Sequence, residues 1–196
     1  MFWQDIHRFD QLLTLEMNSW NSPLSDHVWM LFSDKIVWIP MYALIVALLI
    51  WRLGWKKGLI VVAGALLTFG FCDQSSNFVK EAVARLRPLK DEFMMANGLH
   101  VLEGGGKYGF FSAHAANAFG LACSTYIGLR EDGRLKWKGY AAWMFTWASL
   151  VAISRIFVGK HYLGDVLVGS IVGAAAGIAF GLLARWLITK YFTTKA

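Results

Sequence analysis

The sequence predicts an all-α fold: a multi-pass membrane helical bundle of about five transmembrane helices, preceded by N-terminal interfacial amphipathic helices. Three observations carry this. The 196 residues are 57% hydrophobic with ten tryptophans, and the apolar runs are too long and too numerous for one soluble core. Basic residues collect in the short segments between those runs. The first twenty residues are amphipathic rather than uniformly apolar. Residues 1–196 therefore read as a single membrane domain, with 1–35 interfacial and 36–190 the transmembrane core.

In residues 1–20, Phe2, Ile6, Phe9, Leu13, Met17 and Trp20 recur at three- and four-residue steps. Gln4, Asp5, Arg8, Asp10 and Gln11 lie between them, so the segment fits a helix lying in the membrane interface. No charged n-region precedes an early apolar stretch, so no cleavable signal peptide is expected. Asn21, Ser22 and Pro23 mark a break, and Leu24 to Phe32 reads as a second short helix. Five apolar segments follow. The first runs from Ile36 to Trp51. The second runs from Gly58 to Val79 and is expected to continue as helix to Arg87, where Pro88 stops it. The third is Phe110 to Leu129, after a glycine-rich loop at Gly98 to Lys107. The fourth is Tyr140 to Ile153 and the fifth Leu163 to Ile188. The shortest need flanking residues to cross ~30 Å of hydrocarbon.

Charge sets the orientation. Arg52, Lys56 and Lys57 join spans one and two; Arg130, Arg134, Lys136 and Lys138 join spans three and four; Arg185, Lys190 and Lys195 close the chain. Five spans put these regions on one side, expected to be the cytoplasm. The net charge of +6 is thus read as loop charge, not as a nucleic-acid surface. Cys72 and Cys123 lie in apolar segments and read as buried small hydrophobes rather than a disulfide or metal pair.

On the other side, polar residues converge at the helix ends. Lys80 and Arg87 are two turns apart, and Asp73 and Asn77 share roughly the same stripe, which suggests a polar seam facing the bundle interior. Arg85 and Lys90 read as basics that snorkel to headgroups. Ser112, two residues before His114, opens the third span; its hydroxyl can cap the helix, and the free N–H groups there suit an anion. His161 and Asp165 are four apart, so on one helix the carboxylate reaches the imidazole. Charged groups at a membrane segment are costly and usually functional. The same four-residue ridge continues through Gly169, Gly173, Gly177 and Gly181. Glycines at that spacing admit another helix, expected within the bundle rather than between subunits.

These stretches resemble the signature of the type 2 phosphatidic acid phosphatase (PAP2) family, which shares its site with vanadium-dependent haloperoxidases. The signature is K-x6-R-P, then P-S-G-H, then S-R-x5-H-x3-D. Lys80 to Arg87-Pro88 completes the first part, and Ser154-Arg155 through His161 to Asp165 completes the third. In the second, Phe111 replaces proline and Ala113 replaces glycine, while Ser112 and His114 remain.

The resemblance implies a metal-independent lipid phosphatase without a cofactor, acting through a phosphohistidine. His161 would be the nucleophile, neutral at the attacking nitrogen, with Asp165 fixing its tautomer. His114 would protonate the leaving oxygen and then activate water. Lys80, Arg87, Arg155, Ser112 and the Ala113 N–H would hold the phosphoryl oxygens. Opposite starting protonation of the two histidines implies a bell-shaped pH profile.

The family's substrates include undecaprenyl diphosphate, toward which the compact, bacterial-type chain leans. The alternatives are lipid A, phosphatidylglycerol phosphate and phosphatidic acid. The implied setting is a bacterial inner membrane with the active site facing the periplasm, and residues 1–20 are expected to line the lipid entrance. The oligomeric state is left open. Two rival readings are a zinc hydrolase using His114, His161 and Asp165, whose metal the three neighbouring cations would repel, and a non-enzymatic anionic-lipid binder or transporter, which has no use for the His161–Asp165 pair.

Overall fold

The computed structural model describes residues 2–192, without the side chain of Phe2; Lys195 lies outside them. Within these residues the chain forms eight α-helices: α1 (Phe2–Ser19), α2 (Pro23–Ser33), α3 (Ile39–Leu53), α4 (Trp55–Val83), α5 (Glu92–Ala96), α6 (Ala113–Leu129), α7 (Lys138–Phe157) and α8 (Leu163–Phe192). The α4, α7 and α8 helices are long and apolar enough to cross a membrane, and α3 is a shorter apolar helix beside them. The fold is the expected all-α membrane bundle.

Local chemistry explains most boundaries. Ser22 and Ser25 form a capping box at the start of α2, with Pro23 in its first turn. Pro40 is tolerated only in a first turn, so α3 begins at Ile39 rather than at Ile36. The expected continuation of α4 to Arg87 does not occur. The helix ends at Val83 with Ala84 left-handed (φ 51°), and Arg87 is extended (ψ 154°). The residue before a proline is pushed out of the helical region, and Pro88 follows Arg87. The freed strand pairs with the glycine-rich loop: Arg87 N–H donates to Lys107 O (3.0 Å), and Gly109 N–H donates to Arg85 O (3.0 Å).

The centre of the bundle is the α6–α8 pair, and the glycine ridge makes it. A Cβ placed on Gly169 would meet Ser112 O at 2.5 Å. One on Gly173 would run into the Ala116 backbone, one on Gly177 into Gly120 O, and one on Gly181 into Ile127 and Ser124. Both helices therefore start at the same end and advance in step, Ser112-Ala116-Gly120-Ser124 against Gly169-Gly173-Gly177-Gly181. The ridge packs within the chain, as expected. The opposite face of α8 presents Leu167, Ile171, Ile178 and Leu182, all exposed, as a lipid-facing stripe. Cys72 and Cys123 are free and buried.

The ends of the bundle differ. At one, Arg52 pairs with Asp132 (2.6 Å) and Arg185 with Glu131 (2.5 Å), so the three basic regions meet as the topology requires. At the other, α1 and α2 pack on α7, and α1 also on α8. The outward apolar residues Ile6 and Phe9 of α1, and Trp20 just after it, are exposed, consistent with an interfacial helix, but the polar face of α1 is buried. Thr14 Oγ1 accepts from Leu163 N–H (3.0 Å) and Asp10 Oδ1 accepts from Gly164 N–H (2.9 Å), satisfying the first free donors of α8. Asn18 Nδ2 donates to Ile156 O (3.0 Å) and Phe157 O (3.2 Å) at the end of α7.

Candidate active site

The α7–α8 turn positions the third motif. Gly159 has φ +77°, and a Cβ there would lie 2.8 Å from His100 O, so only glycine serves. The turn brings His161 N–H back to Arg155 O (3.1 Å). His161 is not on the helix, as the four-residue spacing suggests; it precedes α8, and Asp165 sits in the helix's first turn. Asp165 Oδ2 accepts from Tyr162 N–H (3.2 Å), the backward half of a capping box, and lies 3.4 Å from His161 Nδ1.

On the other side of the ring, Arg87 Nη1 is 3.2 Å from His161 Nε2. Guanidinium can only donate, so Nε2 is the lone-pair nitrogen and the proton sits on Nδ1, facing Asp165. His161 is buried, and burial together with Arg87, Arg155, Lys80 and Lys160 holds its imidazole neutral, well below the usual range.

A cavity of about 290 Å³ opens in front of this ring. Six of the eight candidate residues line it: Lys80, Arg87, Ala113, His114, Arg155 and His161. Asp165 stands behind His161. Ser112 is the helix cap, buried, its Oγ accepting from Ala115 N–H and its own N–H donating to Asp165 O (3.0 Å). It frames the site without lining the cavity.

Asp73 and Asn77 also line the cavity, so the polar seam on α4 faces inward as expected, with Asn117 Nδ2 donating to Asp73 Oδ1 (2.9 Å). Lys35 and Lys160 complete the lining charges with Gly105 and Gly106 beside them. Neither lysine stands out in the sequence: Lys160 falls inside the x5 of the third motif, and Lys35 lies in the turn before α3.

Five cations against one carboxylate make this a site for a multiply charged anion. Arg155 is 2% exposed. It donates to the Ser33 hydroxyl and lies 3.7 Å from Glu103, while its Nε has no hydrogen-bond partner among the described residues. Burial would raise the Glu103 carboxyl, but hydrogen bonds from Lys160 and Ser33 hold it below its usual range, so it stays charged opposite Arg155 and Lys160. Among the described residues no cluster of three or more His, Cys, Asp or Glu side chains could hold a metal.

A second, apolar chamber of about 450 Å³ lies between α3, α4, α6 and α7, with Tyr42, Ile45, Val46, Leu66 and Leu121 in its wall. His114 and Lys35 line both spaces, so the apolar chamber adjoins the anion site at these two residues. No described residue of α1 lines either one, against the expectation that this helix forms the lipid entrance.

A helical membrane bundle with a cationic cavity, a paired histidine and an adjoining apolar chamber has the make-up of a membrane-embedded phosphate-ester hydrolase. The chain belongs to the PAP2 superfamily, whose model matches residues 57–190, and it is a membrane lipid phosphatase of that type. It is 35% identical to the lipid A 4'-phosphatase of Bacteroides thetaiotaomicron, over 92% of this chain and 79% of the relative. It is 33% identical to the lipid A 4'-phosphatase of Porphyromonas gingivalis, over 84% of this chain and 68% of the relative. The PAP2-type phosphatidylglycerolphosphate phosphatase of Bacillus subtilis shares the fold, with a TM-score of 0.69 at 20% identity over 97% of this chain and 90% of that one.

The placement of α1 carries a prediction of its own. Deleting residues 1–20 removes the donors' partners at α8 and the bonds of Asn18 to α7. Turnover of a lipid phosphate and of a small soluble phosphate ester should then fall together. A truncated protein that still cleaves the soluble ester at the full rate would restore α1 to a role at the lipid entrance alone.

Proposed function

We propose that this protein hydrolyses a phosphate of lipid A, the 4'-phosphate foremost, through a phosphohistidine on His161. The observation that carries the lipid-phosphate reading is the shared wall of the two spaces: a headgroup phosphate in the cationic cavity leaves the attached chains beside the apolar chamber. The choice of lipid A rests on the two curated relatives, which cover most of this chain. They support the alternative drawn from the sequence over its lean toward undecaprenyl diphosphate.

The chemistry follows from the geometry. Nε2 of His161 carries the lone pair and faces the cavity cations, so it is the nitrogen that attacks phosphorus. Lys80, Arg87 and Arg155 neutralise the equatorial oxygens, and the backbone of Ala113 opens the helix whose N-terminus faces the anion. His114 lies where the phosphate cavity meets the apolar chamber, which is the leaving-group side. It protonates the departing oxygen of the lipid and then takes a proton from the water that cleaves the phosphohistidine.

The basic loops at the opposite end support a cytoplasmic location for that end. The site then faces the periplasm from the inner membrane.

The test is phosphate release, without added metal, from lipid A, phosphatidylglycerol phosphate, phosphatidic acid and undecaprenyl diphosphate, with mass spectrometry of the lipid A product. Preferred loss of the 4'-phosphate is the expected result. Preference for a diphosphate would return the reading to undecaprenyl diphosphate. The acid limb of kcat/KM should lie below the ordinary histidine range, because His161 must be neutral and is held neutral. An acid limb at or above that range would count against His161 as the nucleophile.

A further inference from the structure

Arg85 reads in sequence as a basic residue that snorkels to headgroups. The structure turns it inward. Its Nη1 donates to Asp165 Oδ1 (2.7 Å) and its Nη2 to Asp10 Oδ2 (2.7 Å), with His7 Nδ1 3.1 Å from the same nitrogen. The guanidinium lies 4.0 Å over the Tyr162 ring. Tyr162 donates its hydroxyl to Asp91 (2.5 Å), which Gln11 also reaches (2.7 Å). Asp165 thus has both oxygens committed: Oδ2 to the His161 side and Oδ1 to Arg85.

We propose that Arg85 is a positioning residue for the His161–Asp165 pair, and that Asp10 of α1 holds it in place. The inference rests on the reading of His161 as nucleophile. Arg85 fixes the plane of the Asp165 carboxylate, so that Oδ2 stays toward Nδ1 of the ring. It also offsets the Asp165 charge, which limits how strongly the carboxylate holds a proton on the imidazole. Asp10 keeps the guanidinium from swinging into the cationic cavity, where a sixth cation would compete for phosphate. A helix outside both cavities thereby becomes part of the catalytic geometry.

The two variants that test this have opposite electrostatic signs. Arg85→Gln removes the cation behind Asp165, so the imidazole is protonated more easily. Asp10→Asn leaves Arg85 less compensated, so the imidazole is protonated less easily. An asparagine oxygen still accepts from Gly164 N–H, so the α8 cap survives.

The groups facing His161 are Asp165, Arg87, Arg155, Lys80, Lys160 and His114, and none of them is changed. His7 is the other imidazole at the clamp, and a His7→Gln background removes its titration.

The experiment is a pH–rate profile of the purified full-length protein on its best lipid substrate, with His161→Ala alongside. Arg85→Gln should lose about 10- to 100-fold in kcat at little change in KM, the size of loss known for outer-shell partners behind metal-ligating histidines. Its acid limb should move to higher pH. Asp10→Asn should move the limb to lower pH, and Arg85→Lys should recover part of kcat.

If Arg85→Gln does not fold, the limb of Asp10→Asn decides alone. Limbs that stay at the wild-type position while His161→Ala is dead overturn the inference and leave the proposed function standing. An active His161→Ala overturns the proposed function itself.

Discussion

Alanine at position 161 is expected to abolish phosphate release, by at least about 10⁴-fold, with the protein folded and still able to bind lipid. A loss of that size is about 5 kcal/mol of transition-state stabilisation. It matches what other enzymes lose when the nucleophile itself is removed. The reason is local. Arg87, Arg155 and Lys80 can hold and polarise the phosphate without His161, but none of them can form the bond to phosphorus. A water molecule would have to attack instead, and the group proposed to activate it, His114, lies on the proposed leaving-group side, where the two spaces meet.

The covalent intermediate gives an independent readout. Wild-type protein mixed with radiolabelled substrate and quenched in alkali should carry label that is released by acid, the behaviour of a phosphohistidine. His161→Ala should carry none. His114→Ala should still be labelled by a diphosphate or other substrate with a good leaving group, and should lose the label slowly, because its defect then falls on the water step. A lipid binder or transporter would behave differently: His161→Ala would retain its function, and no label would appear on any variant. That contrast separates the enzymatic reading from the different-class alternative in one gel.

Much of this site is legible in the sequence, and the part that is not has one physical character. His161, Asp165 and the glycine ridge declare themselves because they lie on one short stretch of chain, where spacing of four residues translates directly into neighbourhood. Lys80 and Arg87 are legible as a pair, yet not for the reason their spacing suggests. They do not share a helix face; Arg87 reaches His161 from an extended segment that Pro88 forbids to be helical.

The placements of Arg85, Asp10 and Lys35 are not legible, because each depends on groups far away in sequence. Arg85 is 80 residues from Asp165 and 75 from Asp10. The α1 helix misleads for a related reason. Polar residues on an interfacial helix are expected to face water, whereas Asp10, Thr14 and Asn18 face the ends of α7 and α8. Their four-residue spacing is a signal in the sequence. So is the small-residue ridge Ser112-Ala116-Gly120-Ser124, the counterpart of the glycines on α8.

That pair of ridges supplies the largest expected effect on stability. Gly173→Leu should prevent α6 and α8 from closing, and even Gly173→Ala should destabilise by about 1–3 kcal/mol, the usual range for overpacking. The added Cβ would meet the oxygen, carbonyl carbon and Cα of Ala116, all backbone, so no rotamer change can relieve it. The helices must separate, and the contacts at Gly169, Gly177 and Gly181 loosen with them. In a membrane this matters more than in water, because close packing rather than apolar burial holds helices together.

Thermal unfolding in detergent checks the claim, with Gly70→Ala as the reference. Among the described residues, nothing lies within 4 Å of a Cβ at Gly70. The same substitution there should be neutral or stabilising by up to about 1 kcal/mol, since alanine is the better helix former. A second check uses the identity of the obstruction. Ala116→Gly removes a side chain but leaves the backbone that Gly173→Ala strikes, so it should not rescue the variant; rescue would mean that the ridges meet through side chains instead. Activity should fall with stability, because the Ser112 N–H at the top of the same ridge donates to Asp165 O, and a wedge at Gly173 lifts α6 away from Asp165, the residue proposed to orient His161.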